Sequence, residues 1–178
     1  MRFDKLTTKF QQALADAQSL AIQNDNQYID PLHLLSALLA DTDSGAGSLL
    51  ARAGVAVNRL APAVSSAIKS LAQVPGSAGN VQIGRELQSV LARTDKEASN
   101  RGDAYIASEL FLLVLVDDKC EAGRLLREAG AQRKPLETAI DAVRGGATVG
   151  DPEGESNREA LSKYTTDLTE RAREGVPV

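Results

Sequence analysis

The chain has 178 residues, 43% of them hydrophobic but only 3% aromatic, with no tryptophan; that is ample for one domain with an Ala/Leu/Val/Ile core and close helix packing. The net charge is −4, the isoelectric point is near 5.1, and the 20 basic residues are scattered, so no basic stripe marks a nucleic-acid footprint. The single cysteine, Cys120, excludes an internal disulfide, the longest apolar run (residues 110–116) is too short to span a bilayer, and no cationic stretch leads into an apolar run at the N-terminus. A soluble, cytoplasmic protein with neither nucleic-acid nor membrane partners is the expectation.

Thr8 and Gln11 form a capping-box pattern, and Phe10, Ala13, Leu14, Ala17, Leu20 and Ala21 then keep the 3.6-residue period, which predicts a first helix to about Asn24. Asp30-Pro31 places an N-cap acid before a proline at the first helical position, opening a second helix through Leu32, Leu35, Leu38 and Leu39. A short third helix over 47–53 closes at Gly54, and Asn58 stands where it can cap a fourth running to about Gln73. Residues 74–80 are turn formers and read as a linker within the domain. Further helices are predicted near 84–100, 108–116, 121–129 and 134–144, the third again closed by a glycine, Gly130. No strand alternation of useful length is present.

The second set is the first written again about 77 residues later. Phe10 matches Leu87, Leu14 matches Leu91, Tyr28-Ile29 matches Tyr105-Ile106, and Leu35 matches Leu112; the match resumes one residue shorter as 47–54 against 123–130. Two units are too few for a solenoid. The expected fold is therefore all-α: two pseudo-twofold related four-helix repeats, one over about 3–73 and one over about 81–144, forming a single domain with a groove where the halves meet. Residues 145–157, rich in glycine and acid, read as a flexible linker. Beyond it, Leu161, Tyr164, Leu168 and Ala172 mark one apolar face and predict a short C-terminal helix.

Catalytic chemistry is missing. No G-x-x-x-x-G-K-[ST] phosphate cradle occurs, so this stretch is not expected to be an enzyme or to hold a cofactor or metal. His33 lies inside the apolar pattern of the second helix and reads as a structural imidazole; Cys120 has no base nearby in sequence and reads as a bystander thiol. Asp117-Asp118 read as solvated surface.

The segments MRFDKLTTKF, DNQYIDPLHLLSALL, RGDAYIASELFLLVLV and LSKYTTDLTERAREG, in this order, resemble the N-terminal domain and first linker of the ClpB family, hexameric ATP-driven protein disaggregases of the AAA+ Clp branch. The resemblance implies a substrate-recognition module that binds unfolded or aggregated polypeptide in an apolar groove and passes it to a threading ring. It also implies ATP and magnesium in the parent protein, a homohexameric parent working with a DnaK-type chaperone system, a monomeric isolated N-domain, and residues 158–178 leading into a first nucleotide-binding module. An N-domain of the ClpA/ClpC type, serving adaptors and a protease, is the alternative. Carried over from the family, Thr7, Asp103 and Glu109 are polar positions tied to substrate handling, and Leu91 and Leu110 contribute apolar groove surface, so the acids favour clients carrying Lys or Arg. The same positions have plain structural readings: Thr7 as a helix cap, Asp103 as a turn residue, Glu109 as a first-turn acid suited to the helix dipole, Leu91 as core. Glu109 aligns with Leu32 and Leu110 with His33, so these sites break the duplication.

Overall fold

Apolar side chains at helical spacing build eight α-helices in a computed structural model that describes residues 3–41, 45–76 and 78–156. In chain order they are α1 Thr8–Gln23, α2 Pro31–Ala40, α3 Ala46–Arg52, α4 Val57–Lys69, α5 Arg85–Asn100, α6 Ser108–Val116, α7 Glu121–Glu128 and α8 Arg133–Arg144. The predicted C-terminal helix lies outside the described residues. The most apolar helices are the central ones: every residue of α6 is buried, and so is most of α2. A helix apolar all round can only be stable in the interior.

The packing respects the duplication. α1 lies on α2 as α5 lies on α6, and the halves join by exchanged pairs, α3 against α8 and α4 against α7. Phe10 of α1 and Phe111 of α6 reach across, with ring centroids 6.1 Å apart and planes tilted by 59°, a geometry that adds about 0.5–1.5 kcal/mol to the burial of both rings. At the corners after α3 and α7, Gly54 and Gly130 adopt φ of 90° and 103°, where a side chain would be strained.

Three local details differ from the sequence expectation. A small strand pairing is present: β1 (Tyr28–Ile29) runs parallel to β2 (Gln82–Ile83), and Leu6 bridges Ile106 in the same sense. Leu6 corresponds to Ile83 and Ile29 to Ile106, so the same pairing is made twice, each repeat lending one arm to the other. Two-residue strands are too short to leave an alternating pattern in sequence. The cap of α1 is Thr7 rather than Thr8: its Oγ1 accepts from Phe10 N–H at 3.2 Å, while Gln11 Nε2 donates to Leu6 O at 2.9 Å. Finally, α4 starts one residue before Asn58 with no side-chain cap; Ala56 N–H donates instead to Ala129 O of the other repeat at 2.9 Å, anchoring that helix start across the interface.

Candidate functional site

The two repeats treat the start of their second helix differently. In repeat one the job is done locally. Asp30 Oδ1 accepts from Leu32 N–H at 2.9 Å, and His33 Nδ1 accepts from Asp30 N–H at 2.9 Å. With Nδ1 accepting, the His33 proton sits on Nε2, 2.8 Å from Asn26 Oδ1, and Asn26 Nδ2 donates to Ala72 O at 3.1 Å. His33 is thus a fully satisfied structural residue, as its sequence context suggests; burial pushes its pKa down to about 4 and pushes that of Asp30 up to about 6.

Repeat two has none of these side chains. Ala107 replaces Asp30, Leu110 replaces His33, Asp103 replaces Asn26, and Arg144 stands at the α8 position equivalent to Ile68 of α4. The result is a buried charged triad. Arg144 Nε donates to Glu109 at 2.9 Å and Nη1 lies 2.9 Å from Asp103 Oδ2, the three side chains being 5%, 8% and 0% exposed. Two of the sequence-derived candidates, Asp103 and Glu109, are therefore brought together, but by a residue that sequence reasoning left out. One acid could balance Arg144; two leave the triad with an excess negative charge.

Ala107 cannot cap α6, so the helix's first amide finds its acceptor elsewhere. Glu155, 47 residues on, accepts from Ser108 N–H at 2.7 Å and from the Ser108 hydroxyl at 2.6 Å, and Thr7 Oγ1 donates to the same carboxylate at 2.6 Å. Burial, with the nearby Glu109 charge, pushes Glu155 up to about 7 against those hydrogen bonds. Thr7 is thus doubly engaged, capping α1 and holding Glu155.

Glu155 arrives on a strap. Residues 147–156, part of the segment read from sequence as a flexible linker over 145–157, lie along the domain. Val149 O accepts from Ala104 N–H at 2.8 Å and Tyr105 N–H at 3.1 Å, Val149 N–H donates to Asp103 Oδ1 at 3.0 Å, and Pro152 O accepts from Thr8 N–H at 2.9 Å. The Thr8 hydroxyl also meets the Glu153 carboxylate. The Val149 side chain is buried.

The apolar candidates sit inside. Leu110 has no exposed surface and Leu91 has 3%; both belong to the main core. Cys120 is buried, and burial pushes its thiol pKa up, which makes it a poor nucleophile. Asp118 departs from the solvated reading: its Oδ1 accepts from Cys120 N–H at 2.8 Å at the start of α7, and its carboxylate pairs with Arg93. Asp117 is the exposed one, within 3.5 Å of Arg133. No cluster of His, Cys, Asp and Glu able to hold a metal is present among the described residues, and none of their helices is long and apolar enough to cross a membrane.

The sequence signals that would have found Ser108, Arg144 and Glu155 are departures from the duplication: an Ala where the twin helix has its cap, and an Arg where the twin has a buried Ile.

Comparison with known proteins places this arrangement. The family described as Clp repeat (R) N-terminal domain matches residues 5–129. The chaperone protein ClpB of Vibrio cholerae is 45% identical over 175 residues, covering 98% of this chain and 20% of that protein, so the chain spans about a fifth of the length of the curated relatives it matches. Among solved structures, the Hsp104 N-terminal domain from Candida albicans superposes with a TM-score of 0.74 at 20% identity, covering 85% of this chain and 99% of that one. A complex of the ClpV N-domain with a VipB peptide superposes with a TM-score of 0.63 at 23% identity, covering 81% and 89%.

Proposed function

Since the chain belongs to the Clp repeat N-terminal domain family, we propose that it is the substrate-recognition N-domain of a ClpB-type chaperone, receiving extended segments of unfolded or aggregated polypeptide for an ATP-driven threading ring. The observation that carries this is the strap. A stretch of chain without regular structure over 147–150, followed by a turn and a helical turn, already lies along repeat two, held by main-chain amides of Thr8, Ala104 and Tyr105 and by one buried apolar side chain. A surface that binds one polypeptide segment through its backbone has the chemistry to bind others of varied sequence. Thr7, Asp103 and Glu109 serve this surface by shaping it: Thr7 and Asp103 touch the strap, and Glu109 fixes Arg144. Leu91 and Leu110 belong to the core of the same repeat.

The 45% identity to a ClpB over nearly the whole chain favours this reading over the ClpA/ClpC type, and the ClpV N-domain solved with a peptide supports peptide capture by this fold. The longer parent protein is proposed to bind ATP and magnesium, to form a homohexamer and to cooperate with a DnaK-type system in the cytoplasm, the N-domain itself being monomeric. Because an extended client loses chain entropy on binding, affinity is expected in the micromolar range or weaker. Fluorescence anisotropy of a labelled, permanently unfolded protein such as reduced, carboxymethylated lactalbumin should show saturable binding to the chain and none to an unrelated helical domain. No binding at several hundred micromolar chain would refute the proposal.

A further inference from the structure

The cap of α6 is the one helix start in the central pair that the chain completes from a distance, and what completes it is a carboxylate on a strap. We propose that the cleft running from the start of α1 to the start of α6 is a binding site for short acidic segments, and that residues 147–156 are its resident, displaceable occupant. This rests on the polypeptide-binding reading above and adds the class of segment bound.

The site is built for a carboxyl group. One main-chain amide and two hydroxyls, from Ser108 and Thr7, converge on Glu155 within 2.6–2.7 Å, at the positive end of a helix dipole. The twin helix start in repeat one cannot take such a ligand, because Asp30 already fills it. Of the charged groups beside the cleft, Asp103 and Glu109 both bond to Arg144 rather than to the ligand's acid, and the Glu109 charge favours the protonated form of that acid. This cleft itself selects a segment that offers an apolar side chain and, six residues later, an acid, as Val149 and Glu155 do.

The occupant is held mainly by hydrogen bonds. Its buried apolar anchor is the single side chain of Val149, the rest being main-chain bonds to Thr8, Ala104, Tyr105 and Asp103 and the Glu155 carboxyl, and beside it Arg144 Nη2 is buried without a hydrogen-bond partner. A cleft of 220 Å³ lies between Arg144, residues 147–151 and Gly154. A surface segment with one apolar anchor, held by hydrogen bonds rather than by core packing, opens more readily than the helices beneath it. Occupation in cis lowers the apparent affinity for any segment in trans by the fraction of time the strap is docked.

The test uses the full 178-residue chain and its Glu155→Ala variant, with Val149→Ala as a second variant should the first fold poorly. Amide exchange is followed by NMR at Thr8, Ala104, Tyr105 and Ser108, whose N–H groups bond to the strap, and at Leu34 and Leu35 within α2. The probe is a blocked synthetic peptide with the sequence of residues 147–156. Weakening the strap should speed exchange at the four amides at least tenfold, leave α2 unchanged, and raise affinity for the peptide at least fivefold; a peptide with Gln at the Glu155 position should bind far more weakly than the acidic one. Unchanged exchange at the four amides, equal peptide affinity for variant and parent, or no discrimination between the acidic and Gln peptides would each overturn the proposal. A carboxymethylated unfolded protein titrated in parallel separates the two claims: if it binds parent and variant alike while the strap amides stay protected, the displaceable occupant is refuted and polypeptide binding survives. If the peptide binds as expected and the unfolded protein does not bind at all, the site stands and the general client reading fails.

Discussion

Repeat one and repeat two are built from the same four helices and differ in how they finish the same corner. Repeat one closes its second helix with its own neighbours, Asp30, His33 and Asn26, a locally satisfied network. Repeat two has exchanged these for Ala107, Leu110 and Asp103, has put Arg144 where Ile68 stands, and depends on Glu155 from outside the four-helix unit. A duplicated fold gains a binding surface by leaving one copy incomplete. The sealed copy shows what the open one lacks.

The strongest way to break the comparison is to neutralise the triad. Arg144→Ile takes from buried Asp103 and Glu109 the guanidinium that both bond and is expected to cost about 3–5 kcal/mol in urea denaturation. Giving repeat two the residues of repeat one, with Asp103→Asn, Glu109→Leu and Arg144→Ile together, should recover most of that loss. A triple variant less stable than the single one would show that the charges are not the reason for the cost.

Leu110→Ala asks whether that side chain is core or surface. With no exposure it should cost about 2–5 kcal/mol. A melting temperature equal to the parent's would place Leu110 on the binding surface instead. A third contrast lies at the twin glycines of α3 and α7. A Cβ at Gly123 would stand 2.5 Å from the carbonyl oxygens of Asp118 and Leu115, whereas at Gly47 it meets nothing. Gly123→Ala is expected to destabilise by about 1–3 kcal/mol, and Gly47→Ala to stabilise by about 0.5–1 kcal/mol; thermal melting of both decides.

Much of this was legible from residues alone because helix periodicity and the duplication repeat over many positions: all eight helices were placed within a few residues, and Glu109 and Leu110 stood out as breaks in the symmetry. What was not legible depended on single long-range bonds. Ala56 holds α4 through the other repeat, so the local signal at Asn58 misled. Arg144 fell at a composition boundary, where a terminal cation reads as helix-end solvation. The strap carries too few apolar residues to announce docking; its order comes from acceptors and donors spread over three distant segments.

The smallest effect is pH dependence, and it too should divide the halves. Glu155 is raised to about 7 by burial and by Glu109, so the docked strap holds its proton more tightly than the free strap. Docking is then fully supported below the ordinary glutamate value near 4.5 and is lost as pH rises through about 7. In repeat one the shifts oppose one another: Asp30, raised to about 6, favours the folded cap at low pH, and His33, lowered to about 4, favours it at high pH. Exchange corrected for intrinsic rate should therefore accelerate at Ala104 and Ser108 between pH 5 and 7.5, with α2 changing little.

The most direct measurement is an NMR titration of the 178-residue chain with a permanently unfolded protein, following every amide. The account predicts shifts at Thr8, Ala104, Tyr105 and Ser108, together with movement of Val149 and Glu155 toward free-chain positions, and silence around Asp30 and His33. Shifts centred on repeat one, with the strap signals unmoved, would contradict it.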